Sequence, residues 1–225
     1  MIDLGSADVI LSGVVGSQAY GLATELSDTD LAGVYVAPLE DVLGLHGRDV
    51  VDHTITGHNP DFQYHELGKF CRLALSMNPT IIELLWLPTD LYQERSGAGL
   101  RLVGMRDLFL SRRAVKTYGG YAIQQASKIG RGTDPAKRAR HAVRLLIQAE
   151  HVLAHGEVLV RLNEAQQEEC WDASEYANLY PDDLAANIEQ RARALDSITT
   201  SLPEHPATEA VNRELVSLRL GLAGL

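Results

Sequence analysis

The sequence has few of the residues that hold a disulfide-bonded or metal-stabilised domain together. Only two cysteines occur among 225 residues, Cys71 and Cys170. They lie too far apart to form a metal-binding motif, and two cysteines make no disulfide framework. Cys71 lies in an apolar run, so we expect a buried thiol there. A reducing cytoplasm is the location that this cysteine usage favours.

Long apolar runs are missing as well. No stretch approaches the roughly 18 consecutive apolar residues of a transmembrane helix, so we expect no membrane partner. Hydrophobic residues make up 45% and charged residues 22% of the chain, which is ordinary for a globular protein. The length suits one large domain or two small ones with a sizeable core.

The chain has a net charge of −10, which argues against general coating of nucleic acid. Basic residues nevertheless concentrate in 111–144, where nine of them accompany a single acid, Asp134, for a local net charge of +8. This asymmetry predicts one surface that faces anions. The nine basic residues are Arg112, Arg113, Lys116, Lys128, Arg131, Lys137, Arg138, Arg140 and Arg144.

Apolar runs and alternating patterns predict strands in the N-terminal part of the chain. The predicted strands are residues 8–15, 30–36, 49–55 and 61–67. In the last strand, alternation places Asp61, Gln63 and His65 on one face and Phe62, Tyr64 and Glu66 on the other.

From about residue 68 the pattern takes on helical spacing. Long helices are expected at 106–129, 135–155, 181–200 and 206–222. The 135–155 helix opens with Thr133-Asp134-Pro135 and ends at Gly156, which are typical cap residues. The acidic stretch EECWDASEYANLYPDD at 168–183 is expected to be irregular and to carry a turn. The layout predicts an α+β protein with an N-terminal sheet domain, 1–108, and a C-terminal helical domain, 109–225.

The stretch VVGSQAYGLATELSDTDLAGVYV at 14–36 carries the chemistry. Asp28 and Asp30, two residues apart at the mouth of a strand, project from one face and repel each other. A divalent cation removes that cost, and oxygen-only ligands suit Mg²⁺ or Mn²⁺. Gly16-Ser17, directly after the preceding strand, offers backbone N–H groups and a hydroxyl to phosphate oxygens. Each feature alone is more often a simple turn, but their order and spacing together predict metal-dependent phosphoryl or nucleotidyl transfer.

These motifs resemble the signature of the DNA polymerase β nucleotidyltransferase superfamily. The segments GSQAYG at 16–21 and SDTD at 27–30 are similar to a branch of predicted bacterial and phage nucleotidyltransferases. Further similar blocks are KFCRLALSMNPTIIELLW at 69–86, KTYGGYAIQQ at 116–125 and KRARHAVRLLIQAEHVLAHGEVLV at 137–160, so the resemblance covers about residues 8–160. One departure is Thr29, which stands where the superfamily signature has an apolar residue between the two acids.

The resemblance implies a mixed sheet flanked by helices, two Mg²⁺ ions and three carboxylates. Asp28 and Asp30 match the first two acids. Asp61 is our choice for the third, because it begins a strand at the right stage of the chain. Glu66 and then Asp52 are the alternatives.

The resemblance also implies a reaction, namely in-line attack of an acceptor hydroxyl on the α-phosphate of a nucleoside triphosphate. The metals would activate the acceptor hydroxyl and stabilise the leaving pyrophosphate. Asp61 would accept the proton of the acceptor, and Gly16 and Ser17 would hold the β- and γ-phosphates.

The basic segment would then complete the nucleotide site. Lys137, His141 and Arg144 fall on one helix face, and Lys116 lies on the preceding predicted helix. Lys116, Lys137 and Arg144 are candidates for the triphosphate or for an RNA acceptor. Tyr121, together with Tyr118, is a candidate for stacking on a base. The competing interpretation is a solvated helix face with half-buried tyrosines.

Other interpretations remain open from the sequence. The acceptor can be an RNA 3′ end, a protein side chain or a small molecule, and a non-catalytic nucleotide- or RNA-binding module has the same pattern. His53, His58 and His65 suggest a metal-dependent phosphohydrolase, although their spacing matches no zinc motif. Tyr20 is expected to shape the loop, and Glu83 to serve packing and helix electrostatics.

Overall fold

The computed structural model describes residues 8–58, 60–130 and 134–225, so Arg131 and Thr133 lie outside the described residues. Five strands form one mixed sheet in the order β3-β4-β2-β1-β5. Strand β2 pairs in parallel with β4, and the other pairings are antiparallel. The strands are β1 (Asp8–Val15), β2 (Asp30–Val36), β3 (Thr54–Gly57), β4 (Asp61–Glu66) and β5 (Tyr92–Arg95).

Helices occupy most of the remaining described chain, which confirms the predicted α+β class. They are α1 (Gly16–Tyr20), α2 (Leu39–Leu43), α3 (Gly47–Val51), α4 (Leu67–Leu75), α5 (Pro79–Ile82), α6 (Gly97–Gly104), α7 (Arg113–Ala126), α8 (Pro135–His155), α9 (Glu164–Leu179), α10 (Pro181–Ala194) and α11 (Thr208–Leu222). Short 3₁₀ turns cover Glu83–Trp86, Thr89–Leu91, Arg106–Phe109 and Leu195–Ser197.

The described chain divides into two compact units. The sheet unit comprises the chain through Leu75, Thr80–Phe109 and Pro206–Leu225, and the helical unit comprises Ser76–Pro79 and Leu110–His205. The predicted division at 108/109 assigned the whole C-terminus to the helical domain. In the structure α11 belongs to the sheet unit instead, where it packs against α4.

The predicted strands at 8–15, 30–36 and 61–67 are confirmed as β1, β2 and β4. The predicted strand at 49–55 is wrong in its first half, because Gly47–Val51 is helical and the strand begins only at Thr54. Val50 of this short helix packs against the buried apolar cluster that includes Tyr35 and Tyr64. Its partial burial therefore comes from a helix and not from a strand.

Alternation along β4 is as predicted. Tyr64 is buried and Phe62 packs beside it, in a cluster that includes Leu31 and Tyr35. Asp61 and Gln63, on the other face, are exposed. The strand therefore presents its polar end on the face opposite this apolar cluster.

In the helical unit, α8 spans the predicted residues. Asp134 is its N-cap and accepts from the backbone N–H of Lys137 at 2.8 Å, and Gly156 adopts φ +71° at its end. The prediction that 168–183 is irregular is wrong, because Glu164–Leu179 is helical, but the stretch does contain a break between two helices at Tyr180. Asn163 and Gln166 form a reciprocal capping box that starts this helix.

The predicted helix at 106–129 is interrupted. Only Arg113–Ala126 is α-helical, and a 3₁₀ turn precedes it. The backbone N–H of Arg112 donates to the carbonyl of Pro203 at 2.8 Å, so the chain leaves helical geometry there. The predicted 181–200 helix likewise ends early, at Ala194.

Both cysteines are buried free thiols, as expected for Cys71. Burial raises the pKa of Cys71 and of Cys170 to about 12. Neither thiol therefore ionises at neutral pH.

Candidate active site

Two of the predicted acids lie side by side at the ends of two inner strands of the sheet. Asp30 begins β2 and Asp61 begins β4, and the two are register partners in the parallel pair. Neighbouring strands are about 4.8 Å apart, and register partners point to the same face. The carboxylates of Asp30 and Asp61 therefore project from adjacent positions, although 31 positions separate them in the chain.

The Gly16-Ser17 turn lies next to Asp30 on the side of β2 opposite β4. Val15, the last residue of β1, pairs with Asp30, and Gly16 follows directly. A Cβ atom at Gly16 would lie 2.5 Å from Oδ2 of Asp30, closer than atoms can approach. Gly16 also has φ +71°, a left-handed conformation that side chains disfavour. Two separate constraints therefore require glycine at position 16, namely the left-handed backbone of the turn and the close contact with the Asp30 carboxylate.

Asp28 lies outside the sheet, two residues before β2, and is exposed. The residue between the acids, Thr29, accepts a hydrogen bond from Nε2 of Gln18 at 2.8 Å. Gln18 belongs to α1, which begins at Gly16. The segment that carries both acids is therefore tied to the Gly-Ser turn by a side-chain hydrogen bond.

The three candidates for the third carboxylate occupy different environments. Asp61 is exposed and its Oδ1 lies 2.8 Å from Nδ1 of His58. Asp52 is exposed and paired with Arg72. Glu66 lies at the other end of β4 and is fully buried. Only Asp61 of these three is a register partner of Asp30.

The donor set suits a hard divalent cation, because all three candidate ligands are carboxylates. Within the described ranges, no group of three or more His, Cys, Asp or Glu side chains is already gathered to hold a metal ion. Asp28 and Asp61 are both exposed, so rotation of their side chains is unhindered by packing. The residues present therefore fit a Mg²⁺ or Mn²⁺ ion by type and by position in the sheet.

The three histidines of the zinc interpretation bind different partners. Nδ1 of His53 lies 2.8 Å from the hydroxyl of Tyr35, and His58 contacts Asp61. His65 is buried and its Nδ1 lies 2.8 Å from Oγ1 of Thr54. The structure does not bring these histidines together, so it gives no support to a histidine-based phosphohydrolase.

His65 belongs to a small polar network on the same face of β4 as Asp61. Nζ of Lys69 donates to Oγ1 of Thr54 at 2.6 Å, which leaves the Thr54 hydroxyl hydrogen for His65. Burial, and secondly the charge of Lys69, lowers the pKa of His65 to about 4. A neutral imidazole accepting at Nδ1 is consistent with this environment.

A buried hydrogen bond holds the C-terminal end of α1. The hydroxyl of Tyr20, the last residue of α1, lies 2.8 and 2.9 Å from the two carboxylate oxygens of Glu83. Both side chains are buried. This contact gives Tyr20, expected to shape the loop, a specific partner in Glu83, for which the sequence indicates only packing and helix electrostatics. Nothing in the sequence pairs Gln18 with Thr29, so that hydrogen bond is visible only in the structure.

The basic and aromatic candidates for nucleotide binding lie in the helical unit. Lys116 on α7 and Lys137 on α8 are exposed. Tyr121 is 39% exposed, and its hydroxyl accepts from Nδ2 of Asn78 at 3.4 Å. Tyr118, by contrast, is 1% exposed, so its ring is packed in the interior and not presented to a base.

Arg144 is buried within the helical unit. Its Nη1 donates to Oε1 of Gln148 at 2.6 Å, and Gln148 donates to the carbonyl of Leu159 at 2.8 Å. These contacts give Arg144 an internal structural role, and its predicted nucleotide contact stays a prediction. His141, on the same helix, has its pKa lowered to about 3 by burial and by the nearby Arg144.

In the part of the chain that the structure describes, each helix is too short or too polar to cross a membrane.

Residues 5–180, more than half of the chain, match the RNA repair pathway DNA polymerase beta family (RlaP). The sequence is also 26% identical over 130 residues to an uncharacterised 38.9 kDa protein from the nrdC-mobD intergenic region of Enterobacteria phage T4. That match covers 54% of this chain and 38% of the phage protein. The chain belongs to the RNA repair pathway DNA polymerase beta family, a family of polymerase β-like nucleotidyltransferases.

Proposed function

We propose that this protein is a Mg²⁺-dependent nucleotidyltransferase that moves a nucleoside monophosphate from a nucleoside triphosphate to an acceptor hydroxyl. The observation that carries the proposal is the register pairing of Asp30 with Asp61 beside the Gly16 turn. Membership of a polymerase β-like family supports the reaction class. These residues all lie at the same end of the three inner strands, β4, β2 and β1.

We assign Asp28, Asp30 and Asp61 to the metal, because Asp30 and Asp61 begin adjacent parallel strands and Asp28 precedes Asp30 by two residues. The bound metal would supply a lowered pKa for the acceptor hydroxyl and charge neutralisation for the leaving pyrophosphate. Asp61 is the proposed proton acceptor, and its contact with the exposed His58 offers a path to solvent.

Gly16 and Ser17 are assigned to the β- and γ-phosphates. The missing side chain at Gly16 already allows the Asp30 carboxylate to lie against the backbone, and a metal-bound phosphate needs the same close approach. Ser17 adds a hydroxyl at the next position. Lys116, Lys137, Tyr121 and Arg144 keep their proposed part in nucleotide binding, and the exposed side chains of Lys116 and Lys137 are open to a polyanion.

The proposed acceptor is an RNA 3′ end. The family is described as part of an RNA repair pathway, and the segment 111–144 has a net charge of +8 in an otherwise acidic chain. Lys116, Lys128 and Lys137 are exposed within it and are available for phosphates. A protein side chain or a small molecule remains the alternative acceptor.

The second candidate is a non-catalytic module that binds nucleotide or RNA without turnover. The observation that favours it is that the described Asp, Glu, His and Cys side chains form no ready-made group of three. The position of Asp61 beside Asp30 argues against it, because a pure binding module has no need for a third carboxylate there.

The test is incubation of the purified protein with Mg²⁺, each α-³²P-labelled nucleoside triphosphate and total cellular RNA. Asp28→Ala/Asp30→Ala and Asp61→Asn are expected to abolish labelling. Asp52→Asn is the matched control, because Asp52 is also an exposed acid near β4 but pairs with Arg72. Label on RNA that depends on Asp61 and not on Asp52 supports the proposal. Absence of label with every triphosphate, despite nucleotide binding, favours the binding module.

A further inference from the structure

A hydrogen bond between Gln18 and Thr29 connects the Gly16-Ser17 turn to the segment that carries Asp28 and Asp30. Nε2 of Gln18 lies 2.8 Å from Oγ1 of Thr29, across eleven positions of the chain. Gln18 follows Gly16-Ser17 directly, and Thr29 stands between the two acids. Both side chains are partly buried, so solvent competes only in part for this hydrogen bond.

The two acids differ in how the fold holds them. Asp30 is fixed by the sheet, because it pairs with Val15 and Asp61. Asp28 is exposed and precedes the first residue of β2 by two positions. Like charge pushes Asp28 away from Asp30 unless something restrains the backbone between them. Thr29 is the residue through which such a restraint can act.

We propose that Gln18 is a positioning residue of the metal site, which holds Thr29 so that Asp28 stays beside Asp30 over the Gly-Ser turn. This inference rests on the proposed metal-dependent function. The Gln18 amide donates and the Thr29 hydroxyl accepts, so this hydrogen bond uses neither of the two carboxylates.

The same bond explains why Thr29 departs from the apolar residue of the superfamily signature. An apolar side chain at this position cannot accept from the Gln18 amide. In this chain a glutamine in the turn is matched by a threonine between the acids. Substitution of either partner should therefore have the same consequence.

The size of the effect follows from the chemistry of the bond. A hydrogen bond between neutral, partly exposed groups contributes little, so its loss should weaken cation binding by about three- to tenfold and not abolish it. Gln18→Leu and Thr29→Val remove the same bond. The double variant should therefore be no weaker than either single variant.

The experiment measures the affinity of the full chain for Mn²⁺ by electron paramagnetic resonance, beside the thermal midpoint of each protein. Thr29→Ser keeps the acceptor and should bind Mn²⁺ like the wild type. Thr24→Val is the matched control, because Thr24 makes its own side-chain hydrogen bond with Ser27 in the same loop without reaching the acids. It should leave the affinity unchanged.

The outcomes separate this inference from the proposed function. A three- to tenfold weaker affinity in Gln18→Leu, Thr29→Val and the double variant, with thermal midpoints like that of Thr24→Val, supports the positioning role. Wild-type affinity in Gln18→Leu and Thr29→Val, with binding lost in Asp28→Ala/Asp30→Ala, overturns this inference alone. Equal affinity in the wild type and in Asp28→Ala/Asp30→Ala overturns the metal site, and the positioning role with it.

Discussion

Arg219 donates from Nη2 to both carboxylate oxygens of Glu66, at 2.7 and 2.9 Å, inside the sheet unit. Glu66 is 0% exposed and Arg219 is 7% exposed. Glu66 ends the strand that Asp61 begins, and Arg219 lies in α11, beyond residue 180 where the family match ends. The C-terminal helix therefore neutralises a buried charge in the strand that carries the proposed third carboxylate.

Arg219→Met should strongly destabilise the sheet unit. It leaves the Glu66 carboxylate buried without its cation, which typically costs about 3–5 kcal/mol of unfolding free energy. Urea unfolding followed by circular dichroism measures this. Arg101→Met is the matched control, since Arg101 of α6 pairs with Glu214 of α11 at 3.1 Å and both side chains are about half exposed. Its loss should stay within about 1 kcal/mol. Equal effects of the two substitutions would contradict the prediction.

Gly16→Ala should lower the proposed nucleotidyl transfer more than it destabilises the fold. The left-handed backbone costs about 1–2 kcal/mol for a residue with a side chain. The new Cβ would also displace Asp30, and misplacement of a catalytic group by 1 Å can lower the rate by about 10²-fold. The label-transfer assay and the thermal midpoint together separate these effects.

Gly156→Ala is the control for the backbone cost. Gly156 has the same φ of +71°, but a Cβ there meets nothing closer than Leu202 Cδ2 at 3.8 Å. It should lower the thermal midpoint and leave transfer near the wild-type rate. A Gly16→Ala protein as active as Gly156→Ala would show that the contact with Asp30 is unimportant.

Local sequence signals are sufficient to predict those strands and helices whose apolar faces and cap residues lie within the element itself or next to it. β1 and β2 are apolar runs, and α8 has a capping Asp134 and a terminating Gly156. The missed β5 has the sequence YQER and is a strand because it pairs with the edge of β1. The missed α9 buries mainly small residues, so it has little apolar periodicity to detect.

The sequence predicts which residues belong to the candidate site but not which of them touch each other. Asp28 and Asp30 belong to a recognisable motif, so their identity can be predicted. The pairing of Asp30 with Asp61 depends on a parallel register that no local pattern determines. The bond from Gln18 to Thr29 depends on the path of the loop between them. Tertiary geometry of this kind is decided by the whole sheet.

Tyr20→Phe should destabilise the sheet unit through Glu83. The Tyr20 hydroxyl donates to a buried carboxylate, and hydrogen bonds to charged groups contribute about 1.5–3 kcal/mol. Tyr92→Phe is the control in the same unit, because the Tyr92 hydroxyl donates to the neutral carbonyl of Leu84 at 2.8 Å. That bond should contribute about 0.5–1.5 kcal/mol. Urea unfolding in which Tyr92→Phe loses more than Tyr20→Phe would refute the ranking.

The stability of the sheet unit should fall as the solution becomes acidic, partly because of His65. Its folded pKa of about 4 lies below the ordinary value of 6.5, so the unfolded chain binds a proton more readily. The contribution of uncharged His65 to the free energy of unfolding is fully present above pH 6.5 and is lost as the pH falls from 6.5 towards 4. Between pH 7 and 4.5 the loss should be about 2–3 kcal/mol.

His65→Asn is the variant that tests this pH dependence, because asparagine can accept from Thr54 and does not titrate. Urea unfolding at several pH values should show a shallower fall in stability for His65→Asn than for the wild type. Lys69→Met should also reduce the fall, since the charge of Lys69 contributes to the lowered pKa of His65. Identical pH profiles for wild type and His65→Asn would mean that His65 is not charged on unfolding in this range, and that other groups account for the acid sensitivity.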